Sequence, residues 1–363
     1  MKINKTATLE KNVATLPKLE YAHRFARRGK GHYKEVQDTE ADLEKRLKHL
    51  KNLILTRTYR TSPYTHLPIT ERGKTRVISK LPYWPDRVAQ AALILGTMET
   101  FEDQFSADTH AAIPGRGVHT ALRQVADAMR IDPEGTKYCL KLDVSKYFPS
   151  INHAILKQKI SRMFRDPGIV WMFYENIDSM PGSCGIPIGN YTSQYLANIY
   201  LSGLDHYIKN VLKIRHYTRY MDDIVIFGAT SDELRRTYRE IEWYLISRLY
   251  LDVKDNWQIF PANIRGVDFS GYRIWPNHIL LRKTTFLRAR RACARTRRMV
   301  LINGDITKRQ WAVIAAYMGW AIHCTPKVRY MLYDRYFRRI LDLLPPDAYN
   351  IPGGRDIWLK YMQ

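Results

Sequence analysis

The 363-residue chain is predicted to be an α+β protein, an antiparallel sheet packed by helices on one face. Three observations predict it. Hydrophobic text of strand length brackets an acidic turn in Arg219-Tyr220-Met221-Asp222-Asp223-Ile224-Val225-Ile226-Phe227-Gly228. An apolar strand, Tyr138-Cys139-Leu140-Lys141-Leu142, delivers another acid, Asp143, at its end. Segments of helical spacing alternate with these strands, as in Asp232 to Leu249 directly after the turn.

The remaining elements follow in order. Residues 1–38 are polar and basic (Arg24, Arg27, Arg28, Lys30) and are expected to order only on a partner. A helix begins at Thr39, its expected N-cap, with Leu43, Leu47 and Leu50 on one face. Tyr64 to Ser79 reads as two strands around the turn Glu71-Arg72-Gly73-Lys74. Pro82 to Met98 becomes helical after Asp86, and Gly115-Arg116-Gly117 is a loop before a helix starting near His119. Asn152 to Phe164 is helical, and Pro181 to Gly189 is a loop with several breakers. The C-terminal third is dense in cations, from Arg282-Lys283 through Arg288, Arg290, Arg291, Arg295, Arg297 and Arg298. There Leu287, Ala294 and Leu301 recur every seven residues and predict a narrow buried stripe. Such a helix suits a nucleic-acid backbone; a solvated face or a membrane-surface helix are the alternatives. Trp311, Tyr317, Trp320 and His323, at helical spacing, predict core rather than base stacking.

Charge and composition narrow the function classes. Lys and Arg number 58 against 35 Asp and Glu, a formal net charge of +23. That excess implies a polyanionic partner, because basic surfaces gain affinity by releasing counterions from phosphates. A hydrophobic content of 45% excludes a disordered basic tail. The cysteines (Cys139, Cys184, Cys293, Cys324) are scattered without a C-x-x-C pair, against structural zinc or a disulfide framework. No apolar run reaches about 18 residues, so no membrane span is expected. The stretch Met1-Lys2-Ile3-Asn4-Lys5 does not resemble a signal peptide, and a cytoplasmic location is expected.

Two acids from separate strands, Asp143 and Asp222, can face one another. Neighbouring side chains on an extended backbone point apart, so only one of Asp222 and Asp223 is expected to aim into a shared site. Like charges at close range raise each other's pKa. A pair of divalent cations about 3.5–4 Å apart removes that cost and clamps in-line phosphoryl transfer. Mg²⁺ suits a site with few carboxylates, since water and substrate phosphates complete its shell.

These blocks resemble the reverse transcriptases. Asp143 fits their first catalytic block and Tyr220-Met221-Asp222-Asp223 their second, with Gly185-Ile186-Pro187-Ile188-Gly189-Asn190-Tyr191-Thr192-Ser193-Gln194 between them. Most of the family has Gln-Gly-x-x-x-Ser-Pro there. Ile188-Gly189-x-x-x-Ser193-Gln194 instead resembles the reverse transcriptases of diversity-generating retroelements. Phe269-Ser270-Gly271-Tyr272-Arg273-Ile274-Trp275-Pro276 and Leu280-Leu281-Arg282-Lys283 resemble the primer grip and its continuation. The resemblance runs from about Leu43 to Arg298. Two departures, Ile113 before Pro114-Gly115-Arg116-Gly117 and Ser270 in place of leucine, leave room for a neighbouring subfamily that serves antiphage defence.

The resemblance implies a right-hand polymerase fold: a basic N-terminal extension (1–38), fingers (39–135), palm (136–275) and a helical basic thumb with the C-terminal region (276–363). It implies an RNA-directed DNA polymerase, a nucleotidyltransferase using two Mg²⁺, with Mn²⁺ as a substitute. Asp143, the Val144 carbonyl and Asp222 would hold metal, Asp223 would support the site electrostatically, and Lys254 would protonate departing pyrophosphate. Phe148 would exclude a 2′-hydroxyl. Lys74 and Arg76 would meet the triphosphate, with a solvated hairpin face as the alternative. Ile188, Gly189, Gln194, Tyr220 and Met221 would line the nucleotide site; Gly189 lets backbone approach closely, and Ile188 cannot hydrogen-bond a base. Gly271, Tyr272, Arg282, Lys283, Arg288, Arg291 and Arg295 would touch nucleic acid. The implied partners are a structured noncoding RNA template with its primer, deoxynucleotides, the cDNA product and a small basic accessory protein oligomer, in a bacterial or phage-encoded setting. The implied process is error-prone copying of a template-repeat RNA for mutagenic retrohoming. A catalytically idle RNA-binding scaffold is the alternative from another class.

Overall fold

The computed structural model describes residues 7–71 and 74–343. A π-helical turn (Leu9–Val13) leads into α1 (Leu16–Ala26), α2 (Lys34–Ala41) and α3 (Leu43–Leu55), then the hairpin β1 (Thr65–Glu71) and β2 (Lys74–Lys80). Next come α4 (Val88–Glu102), α5 (Val118–Ile131), β3 (Tyr138–Asp143), the single turn α6 (Tyr147–Ser150), α7 (His153–Met163), α8 (Pro167–Asp178) and α9 (Tyr191–His206). The hairpin β4 (Tyr217–Tyr220) and β5 (Asp223–Gly228) is followed by α10 (Ser231–Leu249), β6 (Gln258–Pro261) and α11 (Ala262–Arg265). The chain continues through β7 (Val267–Phe269), β8 (Tyr272–Ile274), β9 (Ile279–Leu281), α12 (Lys283–Asn303), α13 (Lys308–Ala321), α14 (Pro326–Leu332) and α15 (Arg339–Leu341).

Among the described residues three sheets form: β1-β2, β4-β5-β3-β6 and β7-β8-β9. The first and third are antiparallel. In the second, the two-residue link Met221-Asp222 permits only an antiparallel β4-β5 pair. The expected α+β class is therefore met. By contacts the chain forms two compact units. The first comprises residues up to Gly117 with Lys141–Ile224 and Arg235–Trp257; the second comprises Val118–Leu140, Val225–Leu234 and the residues from Gln258.

In the first unit α4 is apolar nearly all round, and Val88, Ala89, Ala91, Ala92, Leu93 and Ile94 are buried. A helix of that composition must be covered on several sides; α1 and α9 both pack on it. This corrects the expectation for residues 1–38. Leu9, Val13, Leu19 and Ala22 are buried within the chain itself. The N-terminal turn approaches closely because a Cβ at Gly96 would lie 2.5 Å from the Asn12 carbonyl oxygen. Thr39 is not an N-cap either. Its hydroxyl donates to the Glu35 carbonyl (2.7 Å) inside α2, and α3 starts after Asp42. Two helices meet where a single helix start was expected, because the polar spacing of Lys34–Ala41 hid the first.

The second unit carries the basic helix α12. Its buried positions are Ala289, Cys293, Thr296 and Val300, spaced as a 3.6-residue helix requires. The sevenfold stripe was wrong: Leu287 is half-buried, Ala294 exposed and Leu301 58% exposed. Small and polar residues make the real seam, which hydrophobicity alone conceals. Of the four expected core residues downstream, Trp311 is buried, while Tyr317, Trp320 and His323 are half-buried. Trp320 stacks on Tyr272 (centroids 5.3 Å apart) and His323 on His119 (3.4 Å). The β7-β8 loop, Ser270-Gly271, has positive φ at both residues (46° and 89°), the pattern of a type I′ hairpin. Gly271 is required twice over, since a Cβ there would sit 2.3 Å from the Trp320 ring.

Candidate active site

The β4-β5 hairpin turns through Met221 and Asp222, and Met221 adopts a left-handed conformation (φ 55°). A non-glycine residue in that region is strained and needs fixing by its surroundings. The Val144 amide donates to the Asp222 carbonyl (3.3 Å), which ties the turn to the end of β3. Beyond β3, residues 143–145 run alongside 252–254: Val144 bridges Val253 antiparallel, the Lys254 amide donates to the Asp143 carbonyl (2.9 Å) and Ser145 to Asp252 (2.7 Å). Strand ends distant in sequence thus bring Asp143, Asp222 and Lys254 together.

The Lys254 ammonium donates to Asp143 Oδ1 (2.5 Å) and lies 3.9 Å from Asp222 Oδ2. All three side chains are about a third exposed (33–34%). Burial, then the neighbouring Asp143, pushes the Asp222 carboxyl up to about 7; Lys254 opposes the shift only in part. Asp223 begins β5 and faces Lys141 Nζ (3.5 Å). Adjacent acids therefore take different partners.

The pair has the character of a cation site. Two carboxylates share one ammonium, and burial together with the neighbouring acid raises Asp222. A divalent cation would complete such a donor set, with backbone, water or phosphate oxygens supplying the rest. Among the described residues no cluster of three or more His, Cys, Asp or Glu side chains could hold a metal.

Around the acids, Phe148 is half-buried in α6 and packs edge-to-face on buried Tyr147. Its carbonyl accepts from Ile186 N (3.0 Å), which fixes the loop entering the Ile188-Gly189 block. The Ile188 carbonyl accepts from Ser79 N (3.0 Å), so this block is bonded to the β1-β2 hairpin. Gly189 has φ +117°, and a Cβ there would meet Ile78 Cγ2 at 3.0 Å and Ser79 O at 3.3 Å. Tyr220 and Met221 are half-buried, and Arg76 is exposed on β2. The Lys74 side chain lies outside the described residues. Gln194 is exposed in the first turn of α9. It borders a cavity of about 230 Å³ that Arg28, Lys30, Arg87, Gln90 and Gly189 also line. The sequence reading missed this cavity because it assigned Arg28 and Lys30 to a free extension; the cation run was the available signal.

In the second unit, Lys283, Arg288, Arg291 and Arg295 are exposed on α12. Arg282 differs from expectation, since its guanidinium pairs with Asp268. Its amide donates to the Gly271 carbonyl (2.9 Å), so it braces the hairpin carrying Gly271 and Tyr272. Tyr272, expected to touch nucleic acid, is instead fully buried, its ring stacked on Trp320 and its hydroxyl donating to the Trp320 carbonyl (3.0 Å). Among the described residues no helix is long and apolar enough to cross a membrane.

Protein YkfC of Escherichia coli (strain K12) is 24% identical over 237 residues, covering 61% of this chain and 56% of YkfC. The group II intron-encoded protein LtrA of Lactococcus lactis subsp. cremoris is 26% identical over 187 residues, covering 48% of this chain and 30% of LtrA. The chain thus spans little more than half, or less, of these relatives' own length. The apo telomerase structure from Candida tropicalis superposes with a TM-score of 0.51 at 10% identity, over 83% of this chain and 61% of that one. That likeness concerns the fold, the right-hand polymerase class. The family profile for reverse transcriptase (RNA-dependent DNA polymerase) matches residues 66–255, more than half of the chain, and spans every element that builds the acidic site. The chain belongs to the reverse transcriptase family.

Proposed function

We propose that this chain extends a DNA 3′ end on an RNA template. The observation that carries the proposal is the convergence of Asp143 and Asp222 on one cation, with Asp222 pushed up to about 7. Reverse transcriptases generally use divalent metal ions. Here Asp143, Asp222 and the Val144 carbonyl would hold two Mg²⁺, or Mn²⁺ in their place. Bound there, such ions supply charge stabilisation to the attacking and leaving oxygens. The 3′-hydroxyl loses its proton to solvent as its oxygen attacks the α-phosphorus, the bond to pyrophosphate breaks, and Lys254 gives a proton to the leaving oxygen. Arg76 and Lys74 neutralise the triphosphate, Asp223 adds negative potential beside the pair, and Tyr220, Met221 and Gln194 border the nucleotide. Lys283, Arg288, Arg291 and Arg295 grip the duplex backbone, and the hairpin at Gly271 belongs to a primer grip that buried Tyr272 supports from within. Purified protein given primed RNA, Mg²⁺ and labelled deoxynucleotides tests this. Templated extension is expected, and an inert protein would leave an RNA-binding scaffold.

The half-buried Phe148 ring supports selection against ribonucleotides by exclusion. Phe148→Ala is expected to raise ribonucleotide use about 10²-fold relative to deoxynucleotides, as kcat/KM ratios on one template. Unchanged discrimination would assign the ring to packing on Tyr147 alone.

The finer proposal is error-prone copying of a dedicated template-repeat RNA, error-prone at adenines, for mutagenic retrohoming, with a small basic oligomeric accessory protein. Ile188-Gly189-x-x-x-Ser193-Gln194 supports it. Ile188 offers an apolar surface where a glutamine would restrain geometry, and discrimination needs polar groups that the wrong partner leaves unpaired. Ile188→Gln is expected to lower misincorporation several-fold in sequenced cDNA. An unchanged spectrum would remove Ile188 from the explanation, and an accurate wild-type enzyme would favour the antiphage reading.

A further inference from the structure

Arg219 is the largest fully buried side chain, and its partner Asp205, in α9, is equally buried. All five guanidinium hydrogens have acceptors. Nε donates to Asp205 Oδ1 (2.7 Å), and Nη2 to Asp205 Oδ2 (2.6 Å) and Thr109 Oγ1 (3.3 Å). Nη1 donates to Asn198 Oδ1 (3.2 Å), also in α9, and to the Met221 carbonyl (3.0 Å). Asp205 accepts further from Tyr217 Oη (2.5 Å) and Thr109 Oγ1 (3.0 Å).

A buried ion pair adds little to stability over apolar residues of similar volume, because desolvation offsets the attraction. The pair therefore calls for another reason, and its outermost bond supplies one. Met221 is the strained residue of the acidic turn, and its carbonyl immediately precedes Asp222. Arg219 holds that carbonyl from one side while Val144 holds the next from the other. An apolar core could fill the volume but could not donate to the turn.

We propose that Arg219 is a positioning residue, which fixes the Asp222 carboxylate by hanging the Met221-Asp222 turn from the Asp205 and Asn198 side chains of α9. The inference rests on the polymerase reading. Because α9 also begins beside the Gly189 block, one guanidinium links the nucleotide-proximal helix to the acid that would hold metal. Lysine cannot substitute, having three donors at a point instead of a planar fork.

Arg219→Lys keeps the charge for Asp205. Its kcat for single-nucleotide addition, per folded molecule, is expected to fall about 100-fold, as a misplacement near 1 Å does. KM for deoxynucleotide and affinity for primed RNA should stay within about twofold, while the Mg²⁺ midpoint rises several-fold. An unchanged Mg²⁺ midpoint with unchanged kcat overturns the proposal. The double variant Asp205→Leu/Arg219→Met leaves Tyr217, Thr109 and Asn198 without these partners and should melt below wild type, yet per folded molecule it should remain as slow as Arg219→Lys. Wild-type kcat in that apolar pair would also overturn it, and if the pair does not fold, Arg219→Lys decides alone. An inert wild-type protein counts instead against the polymerase reading.

Discussion

Asp222→Asn is expected to lower nucleotide addition by at least about 10³-fold, because metal stabilisation of the transition state amounts to several kcal/mol. The same substitution is expected to make the metal-free protein more stable at pH 8. In the folded chain Asp222 titrates near 7, whereas an unfolded aspartate titrates near 3.9. Between those values the unfolded chain has already lost its proton while the folded one retains it. Wild-type stability therefore falls as pH rises from about 4 through about 7, and then levels. Asparagine removes that dependence. Melting temperatures in chelator should show the variant above wild type at pH 8, with the gap closing toward pH 4. Adding Mg²⁺ should raise wild type and not the variant. Equal melting curves across this range would mean Asp222 is not held near neutrality.

Lys254→Met is expected to reduce kcat by about 10²–10⁴-fold, the usual contribution of a positioned proton donor. Its second effect concerns the acids. Lys254 holds Asp222 down, so its removal should move that carboxyl still higher. Proton release on Mg²⁺ binding should then persist to more alkaline pH, as titration in weakly buffered solution would show. Lys254→Arg separates the roles. A guanidinium keeps the charge beside Asp143 but does not give up its proton at working pH. It should restore the titration of Asp222 without restoring the rate. Full activity in Lys254→Arg would reduce Lys254 to a counter-ion.

Much of the site was legible because its chemistry is written in local text. An acid at the end of an apolar strand and an acidic turn between strands each declare themselves within a few residues, whereas Lys254 was reached only through the family resemblance. What stayed hidden depends on tertiary partners. Arg219 sits in strand text, where a cation normally marks the solvent side, and only Asp205 and Asn198 from α9 make its burial tolerable. Residues 7–38 read as a tail because their few apolar positions (Leu9, Val13, Leu19, Ala22) make a surface only against α4. The α12 seam of Ala289, Cys293 and Thr296 was invisible to a search for large apolar side chains. Arg282 was placed among ligand-binding cations because sequence could not show Asp268 beside it.

The backbone bond between Ile188 and Ser79 bears on how such an enzyme could be tuned. At Gly189 a side chain would crowd Ile78 Cγ2 (3.0 Å) and the Ser79 carbonyl (3.3 Å), and positive φ would penalise it again. One residue earlier, anchoring runs through main-chain atoms, so the Ile188 side chain can change without untying the loop. Side-chain variation is thus open at 188 and costly at the glycine beside it.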